Sequence, residues 1–102
     1  MSKPCIKTGT VTGTGAAINV PLGFVPDYVR IVNITDADQI DEWFAGMADG
    51  TSVQTNTAVA TRASNGVTPY AGSSTVAAGF TIGSGISESA KVLYYVALRN
   101  VD

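Results

Sequence analysis

The only concentration of charge in the chain is a set of four carboxylates, Asp36, Asp38, Asp41 and Glu42. Carboxylates so close together suggest two chemistries. Hard cations prefer oxygen ligands, so Asp36 and Asp38 could hold calcium in a loop. Paired carboxylates across a cleft could hydrolyse a glycoside. The details favour neither. Ile40 breaks the EF-hand pattern, no glycine supplies the central turn of such a loop, and a small domain can hardly build a sugar-binding cleft. The stretch is expected to be a solvated hairpin loop that keeps its like charges in water, with calcium as the alternative.

Other catalytic groups are missing. The chain has no histidine, so the commonest general acid/base and transition-metal ligand is absent. No Ser–His or Cys–His nucleophile pair can be assembled. Cys5 is the single cysteine, which excludes an intrachain disulfide and leaves a zinc site with one sulfur ligand plus carboxylates. Gly9, Gly13 and Gly15 superficially resemble a phosphate cradle, but Ile18 stands where the dinucleotide fingerprint needs its third glycine, and no Gly-Lys-Ser/Thr follows. These residues predict no catalytic site, no metal and no cofactor.

The aromatic residues offer binding without chemistry. Trp43, Phe44, Met47, Tyr70, Tyr94 and Tyr95 could stack on sugar rings, but aromatics and Met are also enriched in cores and subunit interfaces. Tyr28, Trp43, Phe44, Met47 and Tyr94 are expected to anchor the core or a subunit contact. Tyr70, next to Pro69 in a polar, glycine-rich stretch, is expected to plug an interface.

The elements that position these residues read as β throughout. Over 5–15, Thr8, Thr10, Thr12 and Thr14 share one face, and Gly9, Val11, Gly13 and Gly15 the other. Period-two spacing with β-branched residues predicts a strand, and its glycines would admit a backbone or a ring at close range. A short strand over 17–22 ends at Pro21, as an edge strand would. Gly23 to Asp27 reads as a turn. The strongest strand covers 28–34, with Tyr28, Arg30, Val32 and Ile34 on one face and Val29, Ile31 and Asn33 on the other. Another, over 41–46, sends Trp43 and Phe44 to opposite faces, and a hairpin through 35–39 joins the two. Residues 50–62 predict one strand, 63–79 a long exposed loop, 79–83 a short strand and 91–100 the last one. In that last strand Val92, Tyr94, Val96 and Leu98 alternate with Leu93, Tyr95, Ala97 and Arg99. Strands apolar on both faces imply cover on both. The expected fold is a single-domain, all-β antiparallel sandwich over 1–102, jelly-roll or immunoglobulin-like, with residues 1–7 as a flexible arm.

Composition limits the partners. Of 102 residues, 14% are charged, the net charge is −2 and the six basic residues are scattered. Binding nucleic acid requires a basic stripe that displaces counterions from several phosphates, so nucleic acid is not expected as a partner. No run reaches transmembrane length, and none behind the first residues reads as a signal peptide. Folding in a reducing cytoplasm, without a membrane partner, is the expectation.

The order of four motifs carries a resemblance: Gly-Phe-Val-Pro-Asp-Tyr-Val-Arg-Ile-Val-Asn-Ile-Thr-Asp from Gly23, Glu-Trp-Phe-Ala-Gly-Met from Glu42, Gly-Phe-Thr-Ile-Gly from Gly79, and Tyr-Tyr-Val-Ala-Leu-Arg from Tyr94. Spanning about Val11 to Arg99, this layout resembles small virion proteins of tailed bacteriophages, in particular head-decoration (cement) proteins. The resemblance implies a homotrimer made in the host cytoplasm that binds the major capsid protein on the assembled head and stabilises it through many non-covalent contacts. It carries no catalytic residue. Lys3, Pro4 and Cys5 in the arm, with Pro69 and Tyr70, are the candidate capsid or neighbour contacts. A tail or fibre module that attaches to a host glycan is the alternative.

Overall fold

The computed structural model describes residues 5–34, 39–56 and 58–99. It is all-β, with eight strands: β1 Cys5–Thr12, β2 Ile18–Pro21, β3 Tyr28–Asn33, β4 Gln39–Phe44, β5 Thr51–Thr55, β6 Val59–Tyr70, β7 Gly79–Ile82 and β8 Val92–Arg99. They form one antiparallel sheet in the order β1-β8-β3-β4-β5-β6-β7-β2. Strands β3 to β7 are a meander, β8 inserts between β1 and β3, and the short β2 ends the far edge with Pro21, which has no amide hydrogen to donate.

A two-sheet sandwich was expected, and a single curled sheet takes its place. The ring of Phe80 on β7 meets the edge of Tyr95 on β8, with centroids 5.5 Å apart. Five strand positions separate β8 from β7, which in a flat sheet is about 24 Å. Only a strong curl brings the rings together, so facing parts of one sheet share one core on the concave side. Val20, Val29, Ile31, Trp43, Val67, Phe80, Ile82, Leu93 and Ala97 come from the strands, and the connections add Leu22, Phe24 and Ile86.

The alternation read from the sequence decides which side chains enter. On β3, Val29, Ile31 and Asn33 are buried while Arg30 is exposed; on β8, Leu93 and Ala97 are buried and Tyr94 is exposed. On β4, Trp43 points in and Phe44 points out. Cover on both faces was expected for these strands, but the chain covers only the concave one. Among the described residues, the outer flank of Tyr28, Val32, Tyr94 and Phe44 has no second layer, because all eight strands belong to the one sheet.

Three other expectations change. Residues 5–7, assigned to a free arm, belong to β1 and pair with β8 from Cys5↔Arg99 to Lys7↔Ala97; residues 1–4 lie outside the described residues. The strand expected over 50–62 is a hairpin of β5 and β6, and Asn56 N–H donates to Ala58 O at its turn. The loop expected over 63–79 shrinks to 71–78, because 63–70 complete β6 and 79 opens β7. Glycine misled here. Gly66 marks a close strand approach, since a Cβ there would lie 2.8 Å from the Thr51 carbonyl carbon. Residues 63–66 bulge out between Arg62, opposite Ser52, and Val67, opposite Thr51. The bulge is held by Gly66 N–H to Gly50 O (2.9 Å) and by Gly85 N–H to Asn65 O (3.1 Å).

The β1 glycines behave as expected. A Cβ on Gly9 would meet the Tyr95 hydroxyl at 2.8 Å, and one on Gly13 would overlap the Glu88 carbonyl oxygen. Gly13→Ala is therefore expected to cost about 3 kcal/mol by overpacking against backbone. Gly23→Ala, with open space around a left-handed residue, is expected to cost only about 1 kcal/mol. Urea unfolding of both variants checks the ranking.

Candidate functional site

The period-two spacing of β4 separates the acidic residues. Asp41 shares the inward face with Trp43, and Glu42 shares the outward face with Phe44. These two carboxylates therefore cannot act together on one substrate. Asp36 and Asp38 lie outside the described residues. Among the described residues, no group of three or more metal-ligating side chains is gathered.

Asp41 was expected in water, but its side chain is 1% exposed and ion-paired. Arg62 Nε donates to its Oδ2 at 2.8 Å, and Ser52 Oγ donates to the same oxygen at 2.7 Å. Gln39 Nε2 reaches the other oxygen at 3.4 Å. Arg62 lies against the 83–86 turn, where a Cβ on Gly85 would meet its guanidinium at 2.5 Å. This cluster joins β4, β5, β6 and that turn. The sequence carried one signal for it, because Asp41 alternates in phase with Trp43. Nothing in the sequence pairs Asp41 with Arg62, which stood among the scattered cations.

The aromatic anchors divide between the two faces. Trp43 lies in the core, its indole N–H directed at Ala48 O (3.4 Å), and Met47 packs against the core from its rim. Tyr28 and Phe44 lie outside, ring centroids 5.0 Å apart. Phe44 is 47% exposed and Tyr94 50%. Pro69 and Tyr70 are not in a loop. They end β6, paired with Phe80 and Gly79. Cys5 opens β1, packed partly against the core, and Lys3 and Pro4 lie outside the described residues.

Strand register builds the outer face in three rows. The first runs Ile6, Leu98, Tyr28, Phe44. The second runs Thr8, Val96, Arg30, Glu42, Val53, Thr61, and the third Thr10, Tyr94, Val32, Ile40, Thr55, Val59. Arg30 and Glu42 are the only charges in these rows. Thr8, Arg30, Val32, Tyr94, Tyr95 and Val96 line a shallow depression of about 280 Å³. Glu42 accepts a 2.6 Å hydrogen bond from the Tyr28 hydroxyl, and Arg30 forms no ion pair among the described residues. Such a face can bind protein or stack on a ring.

No protein-family model, curated protein or solved structure matches the chain.

Two outcomes test this geometry. Removing Arg62 strands a buried carboxylate, so Arg62→Met is expected to cost about 3–5 kcal/mol, and replacing both partners by leucine to cost less; a double-mutant cycle in urea measures both. The Tyr28 phenol is pushed up from 10.0 to about 12, first by burial and then by the hydrogen bond and charge of Glu42. The folded state thus holds this proton more tightly. The resulting stabilisation is complete below pH 10.0 and is lost as pH rises toward about 12. Glu42→Gln is expected to bring the Tyr28 titration down toward its ordinary value, read by NMR of ring-labelled tyrosine.

Proposed function

We propose that this chain is a virion structural protein, a capsid decoration protein that coats an assembled phage head and stabilises it through repeated non-covalent contacts. The observation that carries this reading is the outer sheet face, a surface of six strands with two charges, which no other element among the described residues covers. Ile6, Phe44, Val59 and Tyr94 are large apolar side chains left exposed on this face, and exposed apolar groups gathered on one face mark interaction sites. Association covers them, at about 25 cal/mol per Å² of apolar area removed from water. The resemblance carried by the order of the four motifs supports the shell as the place of assembly and the major capsid protein as the partner. A trimer is the stoichiometry the resemblance implies.

On this reading the outer face packs against neighbouring copies, and a two-layer sandwich forms between chains instead of within one. Pro69, Tyr70 and the 71–78 connection, with Cys5 at the start of β1, face the shell on this reading. Many copies with modest contacts reinforce one another through effective concentration. The alternative, a tail or fibre module for a host glycan, is favoured by one feature: Tyr94 beside the depression near Arg30, where a sugar ring would stack. Glycan-array binding that disappears in Tyr94→Ala would select it.

Sparse charge sets the expected salt response. Purified chain added to heads that lack it is expected to bind equally well at low and moderate ionic strength, read by co-sedimentation and by electron microscopy of the decorated particle. Release at about 0.2 M salt, where the Debye length is below about 8 Å, or density for the chain away from the head, would overturn the reading.

A further inference from the structure

We infer that the outer face is a two-fold self-docking surface, whose occupant is a second copy of this chain placed so that Arg30 of each copy meets Glu42 of the other. The second row of the face is the observation behind it. Read across the sheet, it is Thr8, Val96, Arg30 and then Glu42, Val53, Thr61. About the seam between β3 and β4 this sequence mirrors its own chemistry: threonine answers threonine, valine answers valine, and arginine answers glutamate. An isologous interface needs a patch complementary to itself.

A two-fold axis lying between two stacked sheets, along this seam, produces that match. It carries Arg30 over the second copy's Glu42 and Val96 over its Val53. In the neighbouring rows it sets Tyr28 against Phe44 and Val32 against Ile40. Tilting the axis about 15° from the strands gives the crossing of about 30° that aligned sheets adopt. Other axes parallel to the strands fail on charge. An axis on β3 sets Arg30 against Arg30, an axis on β4 sets Glu42 against Glu42, and an axis on the β8–β3 seam faces both charges with uncharged residues. Arg30 also forms no ion pair among the described residues. Its cross-strand neighbour Glu42 turns one oxygen to Tyr28 and leaves the other for a partner.

The curl restricts the contact to the central strands β8, β3, β4 and β5. At about 4.8 Å per strand and about 3.4 Å per residue, these offer a flat footprint of about 400 Å², more once side-chain relief is counted. That is below the lower end for a specific interface, about 600 Å² per partner, so association no tighter than micromolar is expected. This assignment rests on the reading that outer faces of copies cover one another, and it replaces the trimer with a dimer as the unit.

Sedimentation equilibrium over a micromolar concentration series tests it, with Trp43 fluorescence as a fold check away from the interface. Wild type is expected to reach the mass of a dimer. Arg30→Glu and Glu42→Arg are each expected to weaken association more than about tenfold, because each sets like charges face to face. An equimolar mixture of the two is expected to associate again, since both contacts across the axis regain opposite charges. Val96→Asp, which keeps both charges, serves as a second disruptor if Glu42→Arg does not fold. A monomer at every concentration, a trimer mass, or single variants that associate like wild type would overturn the two-fold surface. Head binding by a chain that stays monomeric would sink this surface and leave the decoration role standing. A dimer that never binds heads would do the reverse.

Discussion

The contact between Phe80 and Tyr95 holds together strands that the hydrogen-bond ladder places far apart. A lone flat sheet this wide would bury nothing on either face, and its apolar residues would stay in water. Bending it until the rings touch gives one face an interior. Gly9 is part of the same event, because any larger residue on β1 would intrude where the Tyr95 hydroxyl sits. The connections that contribute Leu22, Phe24 and Ile86 fill what the bend leaves open.

The interior so formed is not wholly apolar. The buried Asp41 carboxylate pairs with the partly buried Arg62, and the Ser52 hydroxyl donates to the same oxygen. Burying charges costs desolvation that the pair only partly offsets. What the pair contributes is geometry, because one carboxylate fixes three strands and the 83–86 turn at once. The four extra residues of the β6 bulge lie beside it, held by backbone hydrogen bonds to Gly50 and Gly85. Polar fixation at this end and aromatic packing at the other together set the curvature of the outer face.

That outer face is where structure and proposed role meet. A curled single sheet gives an interior to only one of its two sides, and the apolar residues on the other are the ones that the proposed assembly would cover. Tyr28, Phe44, Val32 and Tyr94 are therefore better explained as a surface for assembly than as a failed core. Asp41, which the sequence set among four clustered carboxylates, is held instead in an ion pair with Arg62.

Much of this was legible beforehand. Period-two alternation identified most of the strands and set Val29 and Ile31 opposite Tyr28 and Arg30, and Trp43 opposite Phe44, because side-chain direction in a strand is a local property; which face is inward came from the fold. The β1 glycines announced close contacts for the same reason. Alternation cannot say what lies against a face, so cover was expected on both sides of β3 and β8 where the chain provides one. Glycines at 66 and 79 read as loop because a tight strand approach and a turn ask for the same residue. The amino-acid order alone thus determined the all-β class and most of the strands, with the alternation that divides each into two faces. Only the folded sheet decided that β8 enters between β1 and β3, that Asp41 meets Arg62, and that Arg30 and Glu42 stand side by side on an open surface. Those are pairings between distant parts of the chain, set by how the whole sheet bends and not by any residue's neighbours in sequence.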